Sequence, residues 1–164
     1  MAQFSFDIES TYDKAEMNNV EQLVAREIMN RYDFKGTPAA IEWLADKKGF
    51  KIVGSNQWQV ESIIDLVGKQ LAKRGMTSKV LDMSGKSNEA NMRAWQDVPF
   101  KDGLKQDDAK KITSLIKERY PKAKAQIQGD VVRVSSASKD ELQAIMSVVR
   151  EASFDFPVLF TNYR

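Results

Sequence analysis

The sequence predicts an α+β chain of two tandem ferredoxin-like domains, each a split βαβ, RNP-like unit with an antiparallel sheet, and three observations carry that prediction. The first is an internal repeat: FKIVGSNQWQVESIIDLV (50–67) lies over VRVSSASKDELQAIMSVV (132–149), so that Phe50, Ile52, Val60, Ile63, Ile64 and Val67 fall on Val132, Val134, Leu142, Ile145, Met146 and Val149. The second is that Val24, Ile28, Arg31 and Tyr32 correspond to Ile112, Ile116, Arg119 and Tyr120 at a slightly larger offset, which implies a shorter second hairpin. The third is the order in which apolar period two and apolar period 3.6 alternate: strand, helix, strand, strand, helix, strand, twice over.

Taken in order, FSFDI alternates as a strand. A helix over about 14–32 then carries Met17, Val20, Val24 and Ile28 on one face until FKGTP breaks it. AIEWL and FKIV are strands, 57–74 is a helix stopped at Gly75, and SKVLDM is the closing strand of the first half. The polar, aperiodic SGKSNEAN (84–91) is the expected linker, giving domains at 1–83 and 92–164. The second half repeats the order with MRAWQDV, a helix over 106–120 ended by Pro121, AQIQ, VVRV, a helix over 139–151, and FPVLF. Pro99 suits a strand end because it cannot donate to a ladder. The pattern does not exclude terminal strands exchanged between the halves.

Composition narrows function. The 164 residues contain neither cysteine nor histidine, which removes disulfides, thiolate or Ser-His catalysis and zinc sites built from sulfur or imidazole. The acidic pairs Asp107–Asp108 and Asp140–Glu141 fall at helix starts, where carboxylates favour the dipole without any catalytic role. The expectation is a protein that is not an enzyme and needs no cofactor or metal. No apolar run is long enough to span a membrane and the opening MAQFSFDIES alternates like a strand instead of a signal peptide, so a cytoplasmic protein with no membrane partner is expected. The net charge of +2 argues little by itself, but residues 1–82 carry 11 basic against 12 acidic side chains and residues 83–164 carry 14 against 11, so the second half is the more basic.

Two motifs fail on context. SGKS (84–87) lacks the earlier glycine of a P-loop, having Val80 there, and no helix pattern follows it. KGFKIV (48–53) partly matches an RNA-recognition strand, but alternation places Lys51 outward and Phe50 and Ile52 in the core, as it places Arg133 outward and Val132 and Val134 inward. Ser138 with Glu141, and Asn56 with Gln59, read as capping boxes, so the serine-rich turn at 135–138 is explained without a phosphate.

The same parity fills the open sheet faces: Arg93, Trp95, Asp97, Gln126, Gln128 and Arg133 in the second half, Ser5, Asp7, Glu9, Glu42 and Lys51 in the first. Guanidinium groups fork onto phosphate or guanine, amides read base edges and an indole stacks on a base. Arg133, Arg93, Trp95, Gln128 and Gln126, with Lys51 as the counterpart of Arg133, are therefore the candidate nucleotide-binding residues.

The stretches FSFDIES, NRYDFKG, AKRG, KKI followed by IK, AQIQGDVVRVSSASKDELQAIM and FPVLFTNYR together resemble the YajQ family over nearly the whole length. The resemblance implies tandem ferredoxin-like domains without known catalysis, nucleotide binding, action of some members as cyclic di-GMP effectors, and a link of others to RNA. The expected ligand is thus a guanine nucleotide or cyclic dinucleotide, acting through a protein partner; the alternative is an RNA-binding module that uses its open sheet face. The turn after the RV strand is SSAS here, without the basic residues usual in the family, and the chain ends in Tyr163 and Arg164.

Overall fold

The computed structural model describes residues 3–164 and contains two antiparallel four-stranded sheets with four helices. The strands are β1 (Phe4–Glu9), β2 (Ala40–Trp43), β3 (Gly49–Gly54), β4 (Asn88–Ala90), β5 (Arg93–Pro99), β6 (Lys124–Gln128), β7 (Val131–Ser136) and β8 (Leu159–Thr161). The helices are α1 (Lys14–Asn30), α2 (Gln57–Lys73), α3 (Gln106–Arg119) and α4 (Lys139–Glu151). Among the described residues no helix is long and apolar enough to cross a membrane.

Sheet membership corrects the expected domain boundaries. The sheets run β6-β7-β1-β8 and β2-β3-β5-β4, so the first strand of each sequence half pairs with the hairpin of the other half. The compact units are accordingly Tyr12–Lys101, an inserted unit, and a flanking unit formed by the chain up to Thr11 with Asp102–Arg164, in place of 1–83 and 92–164. The flanking unit contains β1, α3, β6, β7, α4 and β8, the complete split βαβ order. In the inserted unit β5 holds the central place beside β3 and β4 lies at the edge.

The physical reasons are local. β5 covers β3 along six residue pairs from Gly49–Pro99 to Gly54–Ala94, and a side chain on Gly49 would meet the Pro99 Cα at 2.6 Å, so this glycine is what lets the strands close. With that edge taken, 78–83 forms no strand: Thr77 Oγ1 accepts from the Lys79 N–H at 3.2 Å and caps a short 3-10 turn at Ser78–Val80, leaving only a single bridge from Leu81 to Phe100. The expected linker is likewise partly ordered, because Asn88–Ala90 pairs with Arg93–Trp95 around a two-residue turn, Asn91–Met92, with positive φ at both positions. At the C-terminus the strand is Leu159–Thr161, so of the expected FPVLF only Leu159 and Phe160 pair. Asn162 (φ 51°) then inserts one extra residue before Ser5 and Arg164 exchange both backbone hydrogen bonds, a β-bulge.

Inward parity holds in both units. Phe50, Ile52, Val132 and Val134 are buried, Lys51 and Arg133 are not. Met17, Val20, Val24 and Ile28 from α1 and Val60, Ile63, Val67 and Leu71 from α2 close over Phe50 and Ile52; Ile112 and Ile116 from α3 and Leu142, Ile145 and Val149 from α4 close over Phe6, Ile8, Val132 and Val134. Each such aliphatic side chain contributes about 1.5–3 kcal/mol by leaving water, and the open face of each sheet is left for other work.

Candidate functional site

Three of the six sequence-derived candidates come together, and three do not join them. On the inserted unit's open face, the pairing puts Glu42, Lys51 and Asp97 in one row across β2, β3 and β5, and Ala40, Val53, Trp95 and Asn88 in the next. Arg93 and Ala90 form a third row. A shallow pocket of about 380 Å³ opens over these rows, lined by Glu42, Lys51, Val53, Asn91, Arg93 and Trp95, with Ala90 at its edge. Val53 is buried and forms the apolar floor; Lys51 and Trp95 are half-buried, Glu42 and Arg93 exposed. The Asn91–Met92 turn, with the positive φ at both positions that a type I′ turn has, brings Asn91 and Arg93 into the pocket lining.

The electrostatics of this pocket are open. Among the described residues Lys51, Arg93 and Glu42 form no ion pair, although Glu42 and Asp97 flank Lys51 in the ladder. The Trp95 indole is in contact with no other ring there. Two cations that form no ion pair among the described residues, beside an unstacked indole, are groups of the kind that can hold a phosphate and a base.

Arg133, Gln126 and Gln128 lie instead on the open face of the flanking unit's sheet, where Gln126, Arg133, Asp7 and Thr161 form one row. Arg133 is committed there. Its Nε donates to Asp7 Oδ1 at 3.0 Å and its Nη2 to Oδ2 at 3.5 Å, while Asn162 Nδ2 donates to Oδ2 at 2.8 Å. Asp7, expected outward, is on the open face yet only 4% exposed, with Arg133 and Asn162 closing on its carboxylate. The Arg133 guanidinium, helped by Asn162 and the charge of Arg164, holds the Asp7 carboxyl below the usual carboxylate range, against burial, which pushes the other way. In return Asp7 pushes the Arg133 guanidinium up. This row is a structural clamp between β1, β7 and the C-terminal bulge.

The serine-rich turn is occupied by capping. Ser138 Oγ accepts from the Glu141 N–H at 3.2 Å, the Ser136 hydroxyl donates to Glu141 Oε1 at 2.7 Å and the Ser138 N–H donates to Ser136 Oγ at 3.1 Å. In the inserted unit Asn56 Oδ1 accepts from the Gln59 N–H at 2.9 Å and Gln59 Oε1 accepts from the Ser55 N–H at 2.8 Å. In each helix start the side chain of the capping residue takes the N–H three residues on. Among the described residues no three carboxylates gather as a metal site.

The profile of the family described as "Nucleotide-binding protein YajQ-like" matches residues 4–164. The chain belongs to the YajQ-like family. It is 42% identical over 165 residues to a Nocardioides protein and 39% identical over 165 residues to one from Streptomyces griseus, in both cases across the full length of both chains. A Yersinia pestis relative is 36% identical over 160 residues, 98% of each chain. All three bear the name "Nucleotide-binding protein".

The acid in this pocket is what sequence reasoning missed. Glu42 was placed on an open face but not among the ligand residues, because a carboxylate is not an obvious component of an anion site. Only its position opposite Lys51 brings it in.

Proposed function

We propose that this chain is a non-catalytic nucleotide-binding protein that takes a guanine nucleotide, or one guanylate half of a cyclic dinucleotide such as cyclic di-GMP, in the pocket of the inserted unit, and that in the cytoplasm it passes this occupancy to a protein partner. The observation that carries the reading is the set of Lys51, Arg93 and Trp95 around a 380 Å³ pocket, with both cations free of ion pairs among the described residues. That volume is at the small end of the ~300–1,000 Å³ of small-molecule sites and suits one nucleotide unit. Arg93 holds phosphate, Lys51 adds positive charge to the pocket, and Trp95 stacks on the base. Family membership and the names of the relatives support the same ligand class.

Calorimetric titration of cyclic di-GMP, GTP, ATP and a short RNA at two salt concentrations tests this. A guanine ligand should bind with a shallow salt dependence, since few phosphates are engaged, and should be recovered chemically unchanged. Failure of every nucleotide to bind, or binding indifferent to Arg93→Ala, overturns the pocket. A steep salt slope with RNA binding alone replaces it with the RNA-binding reading. Sustained hydrolysis lost on changing one carboxylate makes the protein an enzyme.

A further inference from the structure

One pocket group has no use in holding phosphate. Glu42 opposes an anion electrostatically, and a pocket built only for phosphate would be better without it. A carboxylate accepts hydrogen bonds and donates none, so a ligand that gains from Glu42 must bring donors. Its cross-strand neighbour Lys51 does not consume it, since the two form no ion pair.

Position says which donors. Glu42 and Arg93 stand at opposite corners of the pocket, two interstrand steps and two same-face rows apart, about 17 Å between Cβ atoms on ideal sheet spacings. Val53 and Trp95 lie between them. After both side chains reach inward, the remaining span is that of one nucleotide: phosphate at Arg93, base across Val53 beside the Trp95 indole, and the base edge remote from the sugar at Glu42. Guanine presents N1–H and an N2 amino group side by side on that edge, matching the two oxygens of one carboxylate. Adenine presents only one donor there, the N6 amino group, beside the N1 lone pair, which the carboxylate repels. Hypoxanthine keeps N1–H and lacks the amino group.

We infer that Glu42 is the specificity-determining residue of this pocket, selecting guanine over adenine by accepting the N1–H and N2 amino donors. The inference rests on the pocket reading above and adds a residue and a base edge to it.

The test measures GTP, ITP and ATP binding to wild type, Glu42→Gln and Arg93→Ala. Wild type should prefer GTP to ITP and ITP to ATP. In Glu42→Gln, GTP should weaken roughly tenfold through loss of hydrogen bonds to a charged group, the GTP-to-ITP ratio should approach one, and ATP should hold or strengthen because a repelling charge has gone. That opposite sign is the signature. If all three nucleotides strengthen together, Glu42 is only a repelling charge; if all weaken together, it only supports the pocket wall. Either result, or an unchanged ratio, overturns the inference while binding sensitive to Arg93→Ala leaves the pocket reading intact. Wild type binding none of the three overturns the inference; if cyclic di-GMP does not bind either, or if binding ignores Arg93→Ala, the pocket reading falls with it.

Discussion

The two open sheet faces are built from the same alternation and carry similar residue types, yet they dispose of their charges in opposite ways. On the flanking unit's face Asp7 receives Arg133 and Asn162 and is almost wholly buried, so the guanidinium there is a strut. On the inserted unit's face Lys51, Arg93 and Glu42 surround Val53 and Trp95 without an ion pair among the described residues. A basic side chain on an open strand face therefore says little about ligand binding until its partner is known. Four of the chain's residues make the point in pairs: Arg133 with Asp7 stabilises, Arg93 with Lys51 is available.

The largest expected effect breaks the clamp. Asp7→Ala removes the acceptor of two side chains and should destabilise the fold by about 2–3 kcal/mol, the upper part of the range for hydrogen bonds to a charged group. Because the folded carboxyl lies below its unfolded value, the wild type has this contribution in full above about pH 4 and loses it as pH falls through the lowered folded value. Denaturant titrations at pH 7 and pH 3 should show the gap between wild type and Asp7→Ala narrowing in acid. A gap that widens in acid would contradict the clamp.

The next effect separates the two arginines. Arg93→Ala should cost about 2 kcal/mol of guanine nucleotide affinity, as a lost hydrogen bond to a charged group does, and leave the melting temperature unchanged. Arg133→Ala should do the reverse, lowering the melting temperature with affinity intact. Equal loss of affinity in both variants would mean that the ligand engages both faces and would dissolve the comparison.

A smaller effect checks the caps that the sequence predicts at the starts of α4 and α2. Ser138→Ala should cost about 1 kcal/mol of stability through the lost cap, and Asn56→Ala about the same through the equivalent cap in the inserted unit. Neither should alter nucleotide affinity in calorimetry. Loss of affinity in Ser138→Ala would move the site to the start of α4.

These contrasts also show which parts of the fold were legible in the sequence. Met17, Val20, Val24 and Ile28 mark α1, and the alternation around Lys51 and Arg133 assigns the faces of β1, β2, β3, β5, β6 and β7 correctly, because burial acts on each side chain where it stands. The partner of each half's first strand was not legible. FSFDIE and RAWQDVP alternate alike, and period two fixes which face a side chain occupies without fixing which sheet receives it. What distinguishes them is tertiary: Asp7 meets Arg133 in one ladder, and Gly49 admits Pro99 in the other. The candidate site inherited that ambiguity. Arg93 and Trp95 were assigned the right face, but the exchange of strands joins them to Lys51 and Glu42 and leaves Gln126, Gln128 and Arg133 on the other sheet.

The smallest effect concerns the hairpin that shapes the open face. Asn91 and Met92 hold φ of 53° and 61°, and Met92 is 91% exposed, so a bulky side chain keeps a left-handed backbone with almost no burial in return. That conformation costs a residue with a Cβ about 1–2 kcal/mol, and asparagine tolerates it better than methionine does. Met92→Gly removes the strain but gives the unfolded chain more freedom, worth about 0.4–1 kcal/mol in the opposite direction. The balance is a gain of about 0.5 kcal/mol, read as a small rise in denaturant midpoint with an unchanged slope. Asn91 and Arg93 keep their places in this variant, so nucleotide affinity should stay at the wild-type value. A lower midpoint would show that the Met92 side chain makes a contact worth more than its strain, and a lower affinity at a raised midpoint would place that contact on the ligand.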